Sequence, residues 1–296
     1  MPIANLATVE MLHTALNAAF LRGMAIDDVD RQVETLATIV TSSTAKELYP
    51  FLGALPKMRE WTGDRQVNTL RGDKYELENK DFELTIAVDR NDIEDDQIGL
   101  FGSLAEDIGQ ETRDHRFRLL IEALMAGESE TSYDGLPFFS ASHKSAKETA
   151  QSNLTAGAEP AWYLFDTNKS IKPLLFQERK AAELVRKTDP NEEGVFWQKQ
   201  LIWGVDARYA AGFGRWQLAH KAKVTLNEAN LAAARKTMRM IKDTEGRTLN
   251  VRPNLLVVGP SLETTATKIV EQVALANGES NIMRGRFRVM VVNELG

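Results

Sequence analysis

The chain has 296 residues and a mass of 33.1 kDa, enough for two packed domains. Its 43% hydrophobic and 26% charged residues exclude a wholly disordered chain, and no apolar run approaches the ~20 residues of a membrane helix. The absence of cysteine excludes disulfides and thiolate chemistry, and a net charge of -6 excludes nucleic-acid binding through a general positive field.

The start, Met1-Pro2-Ile3-Ala4, lacks the pattern of a signal peptide. Leu6, Val9, Leu12, Leu16 and Phe20 then recur at helical spacing, and after Gly23 so do Val29, Val33, Leu36 and Val40. Two helices are expected, either packed on their own domain or lying as an arm on a neighbour.

Residues 57–96 differ from the rest. They hold 7 basic and 12 acidic residues but only 12 apolar ones in 40 positions. Phe82, Leu84, Ile86 and Val88 alternate with Glu83, Thr85 and Ala87, the period of a half-buried strand. Upstream, Arg65–Leu70 and Tyr75–Leu77 flank Arg71-Gly72-Asp73, a plausible hairpin turn. Such a charged hairpin cannot stand alone, so it lies either on its own domain as an edge or on another subunit.

A long helix follows, with Asp95 or Asp96 at its cap and Gly127 at its stop. Gly99, Gly102 and Gly109 inside it point to close packing or a bend. Residues 140–160 read as a loop, and strands are expected at Trp162–Phe165, Lys172–Phe176 and Phe196–Asp206. Trp197, Trp203, Tyr209, Phe213 and Trp216 would form an aromatic cluster of core type. The end turns to an α/β pattern: helix over Leu226–Ile241, strand over Asn254–Val258, helix over Leu262–Ala276, strand over Phe287–Val292. A boundary near Lys223 follows.

Catalytic patterns are missing. Gly212-Phe213-Gly214 lacks the third glycine of a dinucleotide loop, and Gly259-Pro260-Ser261-Leu262-Glu263 ends in Glu where a nucleophile elbow needs Gly. His13, His115, His143 and His220 are too dispersed for a metal pair. Asp89 to Asp96 carries five carboxylates, more readily a solvated turn and helix cap than a cation loop. Neither catalytic groups nor a cofactor cradle can be assigned from motifs, which leaves open a site assembled from distant segments.

Several patches carry a resemblance. They are Thr41-Ser42-Ser43-Thr44, Tyr49-Pro50-Phe51-Leu52-Gly53, Leu55-Pro56 with Glu60-Trp61, Lys80-Asp81-Phe82-Glu83 and Val88 to Asp96. Tyr133-Asp134-Gly135, Phe138-Phe139, Lys172-Pro173 through Arg179, Gly204, Arg208 to Gly214 and Trp216-Gln217 continue it. In these patches the chain resembles the Mu-like prophage major head subunit (gpT) family of tailed-phage capsid proteins.

The resemblance implies an α+β fold of the Hong Kong 97 type. Residues 1–45 would be an N-terminal arm, 46–95 an extended E-loop with its flanks, 96–222 a peripheral domain with a spine helix, and 223–296 an α/β axial domain. The order of peripheral and axial elements looks exchanged relative to the usual one. The implied function is a major capsid protein forming an icosahedral head around double-stranded DNA. An encapsulin-like compartment, or a soluble oligomeric enzyme with a dimerisation hairpin, are the rival readings. Inter-subunit contacts are expected from the E-loop residues Lys57, Arg59, Trp61, Arg65, Arg71, Lys74, Tyr75, Glu76 and Glu78. The expected partners are the chain itself as pentamers and hexamers, scaffolding protein, portal, and packaged DNA without sequence-specific contacts. No cofactor and no membrane are implied, and the virion shell would be assembled in the host cytoplasm.

Overall fold

A computed structural model describes residues 6–25, 28–49, 75–89, 91–92, 100–144, 150–189, 192–243, 246–273 and 280–296. Helix α1 spans Leu6–Met24 and α2 spans Asp28–Leu36. Val33 and Leu36 are fully buried, as the helical stripe requires. Val40 departs from that stripe. It lies in strand β1 (Ala37–Thr41), because the run Thr38-Ile39-Val40-Thr41 is β-branched and pairs in parallel with a later strand.

Strands β2 (Lys46–Tyr49), β3 (Tyr75–Glu78) and β4 (Lys80–Asp89) precede helix α3 (Leu100–Met125). The caps expected at Asp95 and Asp96, and Gly99, lie outside the described residues. At 26 residues α3 is a rod of about 39 Å. Gly109 lies against α1: a Cβ there would sit 2.2 Å from the Phe20 carbonyl oxygen, and one on Gly23 would sit 2.0 Å from that of Glu106. Close packing is thus why that glycine is kept. Arg113, buried beside the crossing, donates from Nη1 to the Gly23 carbonyl at 3.0 Å, a cation at the end of α1.

The stretch expected as loop contains short strands, β5 (His143–Lys144), β6 (Ala150–Gln151) and β7 (Leu154–Thr155). Strand β8 is Trp162–Phe165, and β9 runs from Leu174 to Lys187, well past the expected end. The segment expected as one strand from Phe196 divides into helix α4 (Glu193–Gln198) and strand β10 (Gln200–Phe213). Lys199, at φ 54° in the left-handed region, makes the break. Trp197 is consequently on the short helix and 75% exposed, so it leaves the expected cluster. Trp203, Tyr209, Phe213 and Trp216 are buried. Strand β11 (Ala219–Ala222), helix α5 (Glu228–Met240), strand β12 (Leu255–Val258), helix α6 (Glu263–Glu271) and strand β13 (Arg288–Val291) complete the chain.

Two sheets organise these elements. The first has the order β1-β9-β10-β4, antiparallel except for β1 with β9. The second has the order β13-β12-β8-β11-β7. One face of the second sheet, through Trp162, Leu164, Leu256 and Val258, packs on Leu231, Ala234 and Met238 of α5 and Ile269 of α6. Its other face, through Tyr163, Phe165, Leu255 and Val257, meets Phe117, Leu120, Ile121 and Leu124 of α3. The front half of α3, with Ala105 and Ile108, covers the far part of the first sheet. Helix α3 therefore spans both sheets, the part expected of a spine. Residue 223, the expected border, directly follows β11, and three of the second sheet's five strands lie before it.

Candidate functional site

The charged segment departs and returns through a two-stranded base. Strands β2 and β3 pair antiparallel with Tyr49 opposite Tyr75, their rings 6.4 Å apart, and the chain between them covers residues 50–74. Of the expected contact residues, Tyr75, Glu76 and Glu78 lie on β3. Lys57, Arg59, Trp61, Arg65, Arg71 and Lys74 lie outside the described residues, as does the expected turn at Arg71-Gly72-Asp73. Glu76 and Glu78 both reach Lys46 Nζ, at 3.0 and 3.1 Å, and these hydrogen bonds raise the lysine above its ordinary pKa. Such exposed pairs set register more than stability.

Tyr75 turns inward. Its hydroxyl accepts from the Phe213 backbone N–H at 3.0 Å, and burial raises its pKa. The Tyr49 hydroxyl donates to Gln177 Oε1 at 2.7 Å, and Gln177 Nε2 donates to the Leu77 carbonyl at 3.2 Å. Gly212 makes room for this packing, since a Cβ there would lie 2.6 Å from the Tyr75 oxygen. A Cβ on Gly214 would likewise lie 2.3 Å from the Lys172 carbonyl oxygen. The bare Gly-Phe-Gly is thus a seat for backbone and ring, with no phosphate cradle.

Asn79 forms the corner between β3 and β4. It is buried, donates from Nδ2 to Ser42 Oγ and the Thr44 carbonyl at 3.0 Å each, and its backbone N–H bonds the Ala45 carbonyl. Glu47 holds that turn through Ser42 Oγ and Thr44 Oγ1, at 2.9 and 3.0 Å. Beyond the corner β4 is an edge strand on its own chain, paired from Lys80 to Asp89 with β10. Phe82 stacks on Tyr209 at 4.7 Å, and Arg208 pairs with Asp81 at 3.0 Å. Tyr75–Asp89 thus pairs with strands of its own chain. Several motif patches thus converge on this root: Ser42 and Thr44, Tyr49, Asp81 and Phe82, Gln177, and Arg208 to Gly214.

The remaining candidates are structural. His143 is buried, with Nδ1 2.6 Å from Asp134 Oδ2 and its ring stacked on Trp216 at 3.9 Å. His115 Nδ1 lies 2.7 Å from the Tyr209 hydroxyl, and His220 Nε2 2.8 Å from Thr155 Oγ1. No group of three metal-type ligands gathers among the described residues. In the acidic run, Asp89 Oδ1 accepts from the Asn91 backbone N–H, and residues 93–96 lie outside the description. Ser261 is exposed in a short turn that opens at Pro260, and Gly259 packs on the Leu295 carbonyl.

Burial lowers the His220 imidazole to about 4 from an ordinary 6.5. Below pH 6.5 the unfolded chain takes a proton here that the folded chain refuses until about pH 4. The contribution of neutral His220 is therefore complete above pH 6.5 and is lost as pH falls, by up to about 3 kcal/mol. Urea unfolding across that window should show the loss, and His220→Gln should flatten it. An unchanged pH slope in the variant would exclude His220 as the source.

A family model described as Mu-like prophage major head subunit gpT matches residues 9–295. The chain belongs to the Mu-like prophage major head subunit gpT family. It is 35% identical over 275 residues to the Mu-like prophage FluMu major head subunit of Haemophilus influenzae, covering 89% of each chain. It is 30% identical to the major capsid protein of Escherichia phage Mu, covering 98% of each. Among solved structures, a chain of the bacteriophage JBD30 procapsid superposes with a TM-score of 0.85 at 36% identity, covering 98% of this chain and 99% of that one. A chain of the JBD30 capsid gives 0.78 at 27% identity, covering 89% and 90%. This head subunit is a structural capsid protein of the Hong Kong 97 type, and not an enzyme. The compartment and enzyme alternatives have no support.

Sequence reading missed what lies at the root. Half-buried Tyr75 and its buried alternation partner Leu77 pack on their own chain, a pattern available in Tyr75-Glu76-Leu77-Glu78.

Proposed function

We propose that this head subunit assembles with copies of itself, as pentamers and hexamers, into an icosahedral shell that encloses double-stranded DNA. The likeness over 98% of the chain to a procapsid subunit carries this reading. Residues 1–45 act as the arm, and 46–95 as the E-loop, anchored at β2–β3. The peripheral domain is α3 with β9 and β10, to whose sheet the arm adds β1 and the E-loop segment adds β4. The axial domain is the five-stranded sheet with α5 and α6, so it takes β7, β8 and β11 from before residue 223. Scaffolding protein and portal join during assembly in the host cytoplasm, and packaged DNA is held without sequence reading. No helix among the described residues is long and apolar enough to cross a membrane.

The E-loop supplies contacts between subunits through Lys57, Arg59, Trp61, Arg65, Arg71 and Lys74, with Glu76 and Glu78 at its base. Mixed charge gives register and reversibility during assembly. Because Tyr49 and Tyr75 are cross-strand partners, a short Gly-Ser link can replace residues 52–72 without moving the base. The shortened chain should be folded and soluble but form no shells by electron microscopy. Normal shells from it would refute the role given to the loop.

A further inference from the structure

The C-terminal turn before β13 displays arginines on a fixed frame. Asn281 is buried and donates from Nδ2 to the carbonyls of Ile269 and Gln272, at 2.7 and 3.0 Å, while accepting from the Met283 N–H. Gly285, at φ 68°, donates its N–H to the Val270 carbonyl at 2.9 Å. Met283 and Phe287 point into the core at 4% and 5% exposure, which turns Arg284, Arg286 and Arg288 outward. Ile282 is the one large apolar side chain of residues 280–288 left exposed.

The positive charge continues on both sides. Arg235 and Arg239 of α5 lie near Arg286: burial first, then the charges of Arg286 and Arg239, push the Arg235 guanidinium below its usual pKa. Two open hollows of about 710 and 440 Å³ share Asn254 and Arg288. One holds Arg284, Arg286 and Glu271, the other Arg31, Lys172 and Glu34. Among the described residues, Arg235, Arg239, Arg284, Arg286 and Arg288 have no carboxylate within ion-pair distance.

We propose that Arg284, Arg286 and Arg288, with Arg235 and Arg239 beside them, form a contact strip for the phosphate backbone of nucleic acid. This rests on the reading of the protein as a DNA-enclosing shell and names where the wall touches its contents. Two points favour phosphate over the surface of another copy. An interface between copies has an apolar centre with charge at its rim, whereas here Arg284, Arg286 and Arg288 alternate with the buried Met283 and Phe287, and Ile282 is exposed at the edge of the turn. Clustered cations without base-reading geometry are also the footprint of sequence-independent phosphate binding. A net charge of -6 conceals the strip, because excess carboxylates elsewhere outnumber it.

The test uses the full-length subunit and a fluorescently labelled DNA duplex of mixed sequence, with binding followed by anisotropy across salt concentrations. Each phosphate contact contributes about 0.9 to the slope of log affinity against log salt. The triple variant Arg284→Gln, Arg286→Gln, Arg288→Gln should lose close to 3 from that slope and keep its melting temperature. The control Arg179→Gln with Lys187→Gln, exposed on β9, should leave the slope unchanged. An unchanged slope in the triple variant, or an equal loss in the control, overturns the strip. So does normal DNA binding by a triple variant that cannot form shells, which would assign the arginines to a neighbouring copy. Shell formation by the unaltered chain is scored separately by electron microscopy. Its failure would count against the shell reading, whatever the slopes.

Discussion

Gly109→Ala should destabilise the head subunit by about 2–3 kcal/mol and loosen α1 from α3. Helix propensity predicts the opposite sign, because alanine is favoured over glycine in a helix interior by up to ~1 kcal/mol. Sterics decide the outcome. The new methyl would lie 2.2 Å from the Phe20 carbonyl oxygen and 3.1 Å from the Gly23 Cα, both backbone atoms that cannot rotate away. Ordinary carbon–oxygen contacts need ~3.3 Å, so the helices must separate by about 1 Å. Overpacking of this kind costs ~1–3 kcal/mol or more and exceeds the propensity gain. Gly102, on the same helix, supplies the control. A Cβ there meets no atom within 4 Å, so Gly102→Ala should stabilise by up to ~1 kcal/mol. Urea midpoints of the two variants should move in opposite directions, and amide exchange in α1 should quicken only for Gly109→Ala. Shifts of the same sign would show that the crossing has slack.

Trp203→Ala should cost about 3–5 kcal/mol, while Trp197→Ala should stay within ~0.5 kcal/mol. Only five residues separate these tryptophans, but they lie on different surfaces. Trp203 is 3% exposed and fills the small core made by Leu16 of α1, Ala105 of α3, Val195 of α4 and Leu201. Removing it leaves a cavity where four elements meet. Its indole N–H has no hydrogen-bond partner among the described residues, so Trp203→Phe should recover most of the loss. Trp197, on the exposed side of α4, leaves no buried cavity when it is truncated. Equal melting temperatures for the two alanine variants would contradict this assignment.

These outcomes mark how far the sequence could be read. The spine helix was legible because its apolar stripe and glycine stop agree over many turns. Strand β12 was legible between Pro253 and Pro260. Trp197 was misplaced because Phe196–Asp206 is apolar enough for a strand throughout, and the αL break at Lys199 has no glycine to announce it. The continuation of the α2 stripe to Val40 failed for a related reason: the β-branched run pairs with β9, 133 or more residues away in sequence, and tertiary pairing overrode local spacing. At the site, the charged composition of residues 57–96 singled out the loop, but its root depends on contacts between β3 and the end of β10. Gly212 read as half of a loop motif until Tyr75 was seen against it. The arginine comb was present in Met283-Arg284-Gly285-Arg286-Phe287-Arg288 as alternating apolar and basic residues, a pattern overshadowed by the net acidity of the chain.

Strands β8 and β11 are adjacent in the second sheet, with Phe165 opposite Ala219, yet the chain between them leaves to build β9 and β10 in the first sheet. The ribbon is thus inserted between two neighbours that would otherwise form a simple hairpin. Bringing β8 to β11 directly means closing a disordered loop of about 50 residues. Once β9 and β10 have zipped, only residues 166–173 and 214–218 remain free, about 13 in all. Closure entropy grows as (3/2)RT ln n, so prior zipping lightens the step by on the order of 1 kcal/mol, close to tenfold in the closing equilibrium. Topology therefore gives the chain a preferred sequence of events, in which the centre of one sheet waits on a ribbon that belongs to the other.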